Sequence, residues 1–492
     1  MCEFPAALVA TLARVDAFAR SRGAPPYLVG GFLRDQLLAR TRRGLNVDLA
    51  VPSEALEFSR ALAAHLHGAF VPLDEAAGTA RVVVTADGLR VELDVSDFRG
   101  ATLDADLRRR DFTINAMAAR LDGWLRAPQA PPLIDPLDGR AALAARRLIP
   151  CFPGTFEEDP VRILRAFRFV AELDFTLEPA ATALMAGALP GLARVSGERV
   201  RDELLAILET DRAAAAVRAL NELGALDVLF PELVPGRGLD QGTFHHLDVL
   251  GHQLETVAQA DRFLAAFAEF SAPLREPMSR YCAEELVEGR PRKGLIKLAG
   301  LLHDVGKPAR RTLEPDGEIW FRGHEQTGAE LAAEIVKRLR LSNREADLVC
   351  GVVLHHLRPG FLSREPQLTR RALYRFFKEL GEDGPACLLT WWADRLATRG
   401  SKSRVDQIDQ QRSRLEEILH AYFFRAEEVV RPPRLVTGHR LMEAFRLPPG
   451  PRIGALLGAI EEAQAEGRIR TADDALGLAR ELLAQAPPAA GP

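Results

Sequence analysis

Lysine is almost missing from this chain. Its 492 residues carry 64 basic side chains, yet only six are lysines, and the first is Lys293. Any cationic contact to phosphate from the first 292 residues therefore falls to arginine, a planar donor that grips two oxygens at once. Cysteine is scarce too. Cys2, Cys151, Cys282, Cys350 and Cys387 lie far apart and never in a Cys-x-x-Cys spacing. This disfavours both a disulfide framework and a cysteine zinc site, and fits a reducing, cytoplasmic compartment. Long apolar runs are absent, so no segment reaches the length of a membrane span. The opening stretch MCEFPAALVATLARVDAFARSRG has charges every few residues. It predicts an amphipathic helix, not a secretory signal. Nor is there a basic excess: the net charge is −4. That excludes a uniformly basic coat for nucleic acid but leaves room for a local basic groove.

At this length the chain should hold two to four domains. Residues 1–137 mix strand and helix signals. YLVGG (27–31) and Leu45–Val51 predict short strands, and FLRDQLLAR predicts a helix between them. Pro52-Ser53 opens a further helix, with Ser53 as its N-cap. ARVVVT (80–85) and LRVELDV (89–95) form a hairpin turning at Asp87-Gly88. The result is a small α+β module with a mixed or antiparallel sheet. From residue 138 the pattern is helical almost to the end. Pro and Gly cluster in VPGRGLDQG (234–242), the clearest domain boundary, and RPPR (431–434) marks another. The expected divisions are 1–137, 138–233, 243–425 and 432–485. The closing AQAPPAAGP should be disordered.

Several segments carry chemistry. Gly30-Gly31 opens a helix, where free N–H groups and close backbone approach favour phosphate. Arg34 and Asp35 sit on its first turn. Asn46 and Asp48 alternate on one strand and share a face, as do Glu92 and Asp94. Carboxylates so placed suit Mg²⁺ against a triphosphate. In DADLRRRDFTINAMA (104–118) three arginines precede an apolar helical run and suit a phosphate or RNA contact. In EEDPVRILRAFRF (157–169) a helix would set Asp159 and Arg162 one turn apart, with Arg165 and Arg168 extending the stripe.

Taken in order, these segments resemble the class II bacterial tRNA nucleotidyltransferases (CCA-adding) and poly(A) polymerases. The carrying residues are Gly30-Gly31, Arg34-Asp35, Asp48, Arg109-Arg110-Asp111 with FTINAMA, DPLDG (135–139), Glu158-Asp159-Pro160-Val161-Arg162 and ERVRDELLAIL (198–208). The resemblance implies a nucleotidyltransferase head at 1–137, an all-α neck that binds RNA and nucleotide, a body and an RNA-binding tail. It implies transfer of nucleotides from CTP and ATP to tRNA or other RNA 3′ ends with Mg²⁺. CCA addition comes first; A-only, CC-only or poly(A) addition are alternatives. It implies metal ligation by Asp48, Asn46 and Asp94. Nucleotide contacts fall to Gly30, Gly31, Arg34, Arg109, Arg110, Asp111, Asn115, Glu158, Asp159, Arg162 and Arg165, with the Glu-Asp-x-x-Arg segment reading the base edge.

Two departures stand out. The family has Asp-x-Asp where this chain has Asn46-Val47-Asp48, which removes one ligand charge and should lower Mg²⁺ affinity. In the tail, Gly438-His439-Arg440-Leu441 replaces a Gly-x-Asp-Leu pattern, while PPGPRIGALL keeps a Gly-Pro helix opening.

Histidine marks a second centre. Seven of the eleven histidines lie between 245 and 356. His252, His303-Asp304 and Asp394, in that order, resemble the HD-domain metal phosphohydrolases. His324 and the His355-His356 pair resemble the extra ligands of two-metal members. The resemblance implies one or two divalent ions of unspecified identity and a bound water made acidic enough to attack a phosphoester. Lys307 could meet that phosphate. His245, His246, His420 and His439 are expected on the surface or in packing. An alternative function follows from Asn46: an HD phosphohydrolase whose transferase head is weakened.

Overall fold

A computed structural model describes residues 4–40, 44–365, 367–403, 405–430 and 433–485. Arg42-Arg43, an arginine pair that the sequence offers for RNA contact, lies outside the described residues. So do the first half of the 431–434 boundary and the last seven residues. The chain forms two compact units: Met1–Val195 with Leu223–Val228, and Ser196–Glu222 with Leu229–Pro492. The expected neck at 138–233 is thus shared between the two.

The first unit is built on a seven-stranded mixed sheet. Its strands are β1 (Tyr27–Val29), β2 (Leu45–Val51), β3 (Ala69–Asp74), β4 (Thr79–Ala86), β5 (Leu89–Asp97), β6 (Ala118–Arg120) and β7 (Leu133–Ile134). They lie in the order β3-β4-β5-β2-β1-β6-β7, with β2 and β5 parallel and every other pair antiparallel. Alternation explains the two faces. Val47, Leu49 and Val51 of β2 and Val91, Leu93 and Val95 of β5 are buried under helices. Asn46, Asp48, Glu92 and Asp94 point the other way. The covering helices include α1 (Ala6–Ser21) and α3 (Ala55–Leu66), and α1 supplies Leu8, Leu12, Val15 and Ala19 at helical spacing. The β4–β5 turn puts Asp87 and Gly88 at φ 51° and 76°, the left-handed pair that a tight hairpin needs.

Four local expectations need correction. Ser53 does not cap α3. That helix starts after Glu54, and the Ala55 N–H donates instead to Asp97 of β5 at 2.8 Å. The triple arginine does not open a helix. Arg108 ends α4 (Leu103–Arg108), which Thr102 caps, Arg109 and Arg110 follow it, and the apolar run after them is a 3₁₀ turn at Thr113–Asn115 followed by β6. Asp159 is not helical either: Pro160 separates Thr155–Glu158 from Val161–Leu173, and Asp159 is extended with φ −146°. The region after 138 also contains short strand pairs, such as Arg147–Leu148 with Thr176–Leu177.

The second unit is helical. Helices Val249–Leu264, Arg292–Leu302, Asn343–His355 and Gly384–Ala397 pack on one another through Leu254, Leu298, Val349 and Leu388, all buried. Lys297 is fully buried among them, and its charge is met by Asp261 at 2.5 Å and by the Thr210 carbonyl. Helices Gly438–Phe445, Pro451–Ala465 and Ala472–Gln485 share a smaller core of their own. Pro451 is the first helical residue of its helix, as its sequence predicts. No helix of the described residues is long and apolar enough to cross a membrane.

Two candidate active sites

In the first unit, β1 is followed by Gly30, with φ 67°. A Cβ at that position would lie 3.0 Å from Asp48 Oδ2, so only glycine lets the turn close over this carboxylate. Arg34, on α2 (Gly31–Leu37), is buried. It donates to Asp35 and to Asn115 Oδ1, each at 2.9 Å, and stacks over the Phe169 ring. Asn115 donates in turn to Asp111 at 3.1 Å. Asp111 also accepts from the Phe112 N–H at 2.7 Å and from Arg165 at 3.2 Å. Burial would raise the Asp111 carboxyl, but Arg165, the Asn115 amide and the Phe112 N–H outweigh it and hold it at about 2. Arg110 is buried and chelates Asp106 at 2.8 and 3.0 Å, whereas Arg109 is exposed, 3.7 Å from Glu158. Arg162 lies 3.9 Å from Glu158 and 3.7 Å from Asp159 and donates to the Thr155 carbonyl.

The acidic corner is more neutralised than its composition suggests. Asp48 faces Asp94 across the parallel β2–β5 pair, and Asn46 faces Glu92. The Asn46 amide donates to Asp94 at 3.2 Å. Arg81 of β4 chelates Asp94 at 2.7 and 2.9 Å and reaches Glu92 at 2.8 Å. Mg²⁺ is commonly held by one or two carboxylates plus substrate phosphates. Asp48 beside the glycine turn meets that minimum.

The second unit gathers a buried His/Asp cluster from five segments. His252, His303 and Asp304 form one group, and Asp304, His324 and His356 a second, with ligand atoms of each group within 4.8 Å of one another. Asp394 adjoins the first group, with Oδ1 2.9 Å from His252 Nε2 and 3.8 Å from His303 Nε2. Hydrogen bonding fixes three rings. Nδ1 of His303, His324 and His356 each bonds the backbone carbonyl three residues earlier, at 2.8, 2.8 and 2.7 Å. Nδ1 is thereby the donor, and Nε2 turns a lone pair to the centre. His324 and His356 then point Nε2 at each other across 3.2 Å. Two facing acceptors repel, and a cation between them removes the conflict, so these residues fit a metal. Burial pushes His252 down and takes His356 to about 3, so both stay neutral. Asp304 and Asp394 are opposed by burial, but His303 and Lys307 for the one and His252 and His303 for the other hold both well below the ordinary range.

Three family models match the chain. They are described as "Poly A polymerase head domain" (residues 26–149), "Probable RNA and SrmB-binding site of polymerase A" (174–236) and "HD domain" (250–397). The A-adding tRNA nucleotidyltransferase of Deinococcus radiodurans is 36% identical over 96% of this chain and 99% of its own length. The chain belongs to the tRNA nucleotidyltransferase and poly(A) polymerase family. The CC-adding tRNA nucleotidyltransferase of Thermus thermophilus is 33% identical over 91% of each chain. Among solved structures, the Thermotoga maritima CCA-adding enzyme complexed with tRNA shares the fold at TM-score 0.59. It has 22% identity, covering 98% of this chain and 96% of that one.

Within this nucleotidyltransferase, the structure brings Gly30, Arg34, Asp111, Asn115 and Arg165 into one network, and Asp48, Asn46 and Asp94 into one corner. Gly31 is the first residue of α2. His355 stays out of both metal groups. Adjacent residues of a helix point about 100° apart, so only one of the His355-His356 pair can face the centre. Lys307 is tied to Asp304 at 2.6 Å and to Gln241 at 2.7 Å instead of standing open for a phosphate. Sequence reasoning missed Arg81, whose role depends on the β4–β5 register. His245, expected on the surface or in packing, packs its ring edge-on at 4.5 Å against His252, and burial holds it at about 2. In HHLDVLGH it lies seven residues before His252 of the cluster.

Proposed function

We propose that this transferase completes tRNA 3′ ends in the cytoplasm, adding the terminal A from ATP. The observation that carries this version is the match to an A-adding relative along almost the whole of both chains. CC addition from CTP is the second version, supported by the Geobacter sulfurreducens and Thermus thermophilus relatives. Full CCA addition is the third.

The reaction joins an RNA 3′-hydroxyl oxygen to the α-phosphorus of the triphosphate and releases pyrophosphate. Asp48, with the neutral Asn46 oxygen and Asp94 beside it, would hold a Mg²⁺ ion, which would neutralise charge on the triphosphate. Arg34 is pinned by Asp35, Asn115 and the Phe169 ring, so its guanidinium plane is fixed before substrate arrives. Asp111, ionised across the physiological range, orients Asn115 and Arg165. Glu158, Asp159 and Arg162 present acceptors and a donor fork to a base edge, and the break at Pro160 turns Asp159 out of the helical ladder. Arg109 meets the phosphates from its exposed position. Arg110 positions the loop through Asp106.

The His/Asp cluster serves as a phosphohydrolase centre holding one or two divalent ions. A second reading of the whole chain, a phosphohydrolase with a weakened head, draws on the Asn46 substitution and the Asp94–Arg81 pairing. One assay separates these readings. Purified protein is given Mg²⁺, labelled ATP or CTP, and tRNA ending before the CCA, after C, or after CC. A-addition labels only the last of these with ATP. CC-addition labels only the first two with CTP. No incorporation into any of them overturns the transferase reading.

A further inference from the structure

A cavity of about 650 Å³ opens beside the His/Asp cluster, with His324 and Asp394 in its wall. Its rim is unusual. Phe244, Trp320 and Phe361 are 50%, 48% and 61% exposed, and they are three of the four large exposed phenylalanine and tryptophan side chains among the described residues. Exposed rings at the mouth of a pocket are stacking platforms, not core. The cavity also continues. A neighbouring space of about 480 Å³ shares Phe244, Trp391, Arg364 and Arg395 with it and extends toward Lys402 and Gln411, away from the cluster. Gly360 lines both spaces, and a Cβ there would press on Trp391 Nε1 at 3.0 Å, so the absent side chain leaves this indole edge open to the trough.

Charge follows the same path. Arg364 is exposed and has no carboxylate partner among the described residues. Arg395 stands beside it where the two cavities join, donating to Gln411 and to the Thr398 carbonyl. Arg322 stacks on Trp320 at 4.7 Å, pairing a ring face with a cation at the rim. Of the acids in the wall of the first cavity, Glu318 is paired with Lys402 at 2.5 Å, Asp394 belongs to the cluster and Glu325 lies 3.7 Å from His324 Nδ1, while Arg322 also reaches Glu314 at 3.5 Å; Arg364 is the cation on this path that no carboxylate meets among the described residues.

We propose that this trough binds the end of a single-stranded polynucleotide at least two nucleotides long, with its terminal phosphoester toward the His/Asp cluster. The proposal rests on the reading of that cluster as a phosphohydrolase centre. Splayed aromatic faces can stack only unpaired bases, which excludes a duplex end. The first cavity has room for one nucleotide. The guanidiniums at the junction suit the phosphate that follows it, and the second cavity takes the next residue.

The test uses full-length protein stripped of metal with a chelator. A five-residue single-stranded RNA carrying 4-thiouridine and a 3′-phosphate is crosslinked by light, and the attached peptides are mapped. Crosslinks are expected on the peptides bearing Trp320, Phe361 or Trp391. They should fall at least tenfold in the Arg364→Ala/Phe361→Ala double variant and persist in Phe361→Tyr, which keeps the ring. The same strand in a blunt duplex should not label these peptides. Labelling confined to residues 1–240 overturns the proposal. So does equal competition by uridine 3′-phosphate and the five-residue strand, because a mononucleotide would then suffice. So does displacement at equal concentration by a phosphotyrosine peptide. Turnover of bis(p-nitrophenyl) phosphate with Mn²⁺ examines the phosphohydrolase reading separately: its absence overturns that reading, while the crosslinks still decide what the trough binds.

Discussion

On the functions proposed for them, the two candidate sites would meet the same problem, handling phosphate with a divalent ion, in opposite ways. The head corner offers few fixed ligands. Asn46 is neutral, Asp94 is chelated by Arg81, and Asp48 stands against a glycine turn. Such a corner leaves much of the ion's coordination to the triphosphate. The His/Asp cluster brings five buried side chains, with Asp394 beside them, to one place and sets three ring tautomers in advance. It has ligands enough before substrate arrives. The contrast teaches that acidic side chains in a row do not measure a metal site. Their existing partners do.

The sharpest break would come from Asp48→Ala. Losing the one carboxylate beside the glycine turn should cut nucleotide incorporation by about a thousandfold, read with labelled ATP. Activity within twofold of wild type would show that the corner is misassigned. Next, His303→Ala should lower metal per chain after gel filtration to less than about a tenth of wild type, measured by mass spectrometry of the metals. Incorporation by the head should continue, since its ion arrives with substrate. Loss of incorporation with retained metal would reverse the comparison.

Asp111→Asn addresses stability. The carboxyl is held at about 2 against an ordinary 3.8, so its depressed value stabilises the fold by about 2 kcal/mol above pH 4. That contribution is lost as pH falls through 4 toward 2. Urea midpoints for wild type and variant should therefore differ at pH 7 and converge near pH 2. Asn46→Asp should be gentler. Restoring a ligand charge should lower the Mg²⁺ midpoint of incorporation by about three- to tenfold. An unchanged midpoint would mean that Arg81, not Asn46, sets the charge of the corner. The smallest effect belongs to His245→Phe, which keeps ring packing on His252 and should shift metal affinity by less than about twofold. A larger loss would enrol His245 as a ligand.

Much of this was legible in the sequence because the chemistry travels in short ordered segments. Gly30-Gly31 with Asp48, and His303-Asp304 among spaced histidines, are grouped in the fold as their order in the sequence suggests. What escaped is whatever a distant strand or a single proline decides. Ser53 looks like a cap until Asp97 arrives from β5 to take the helix N–H. Asp159 and Arg162 look like a helical pair until Pro160 breaks the turn. Arg81 is one arginine among many until register sets it against Asp94. His355 and His356 look equivalent until the helix chooses one.

The three carbonyl-anchored histidines carry one more consequence. In each, the anchor lies three positions back along the same strand of covalent chain: Gly300, Phe321 and Val353. The aim of each imidazole is thus a property of its own turn and owes nothing to tertiary assembly. Folding need only bring ready-aimed rings together, and an ion bound there as proposed would spend little freedom on steering them.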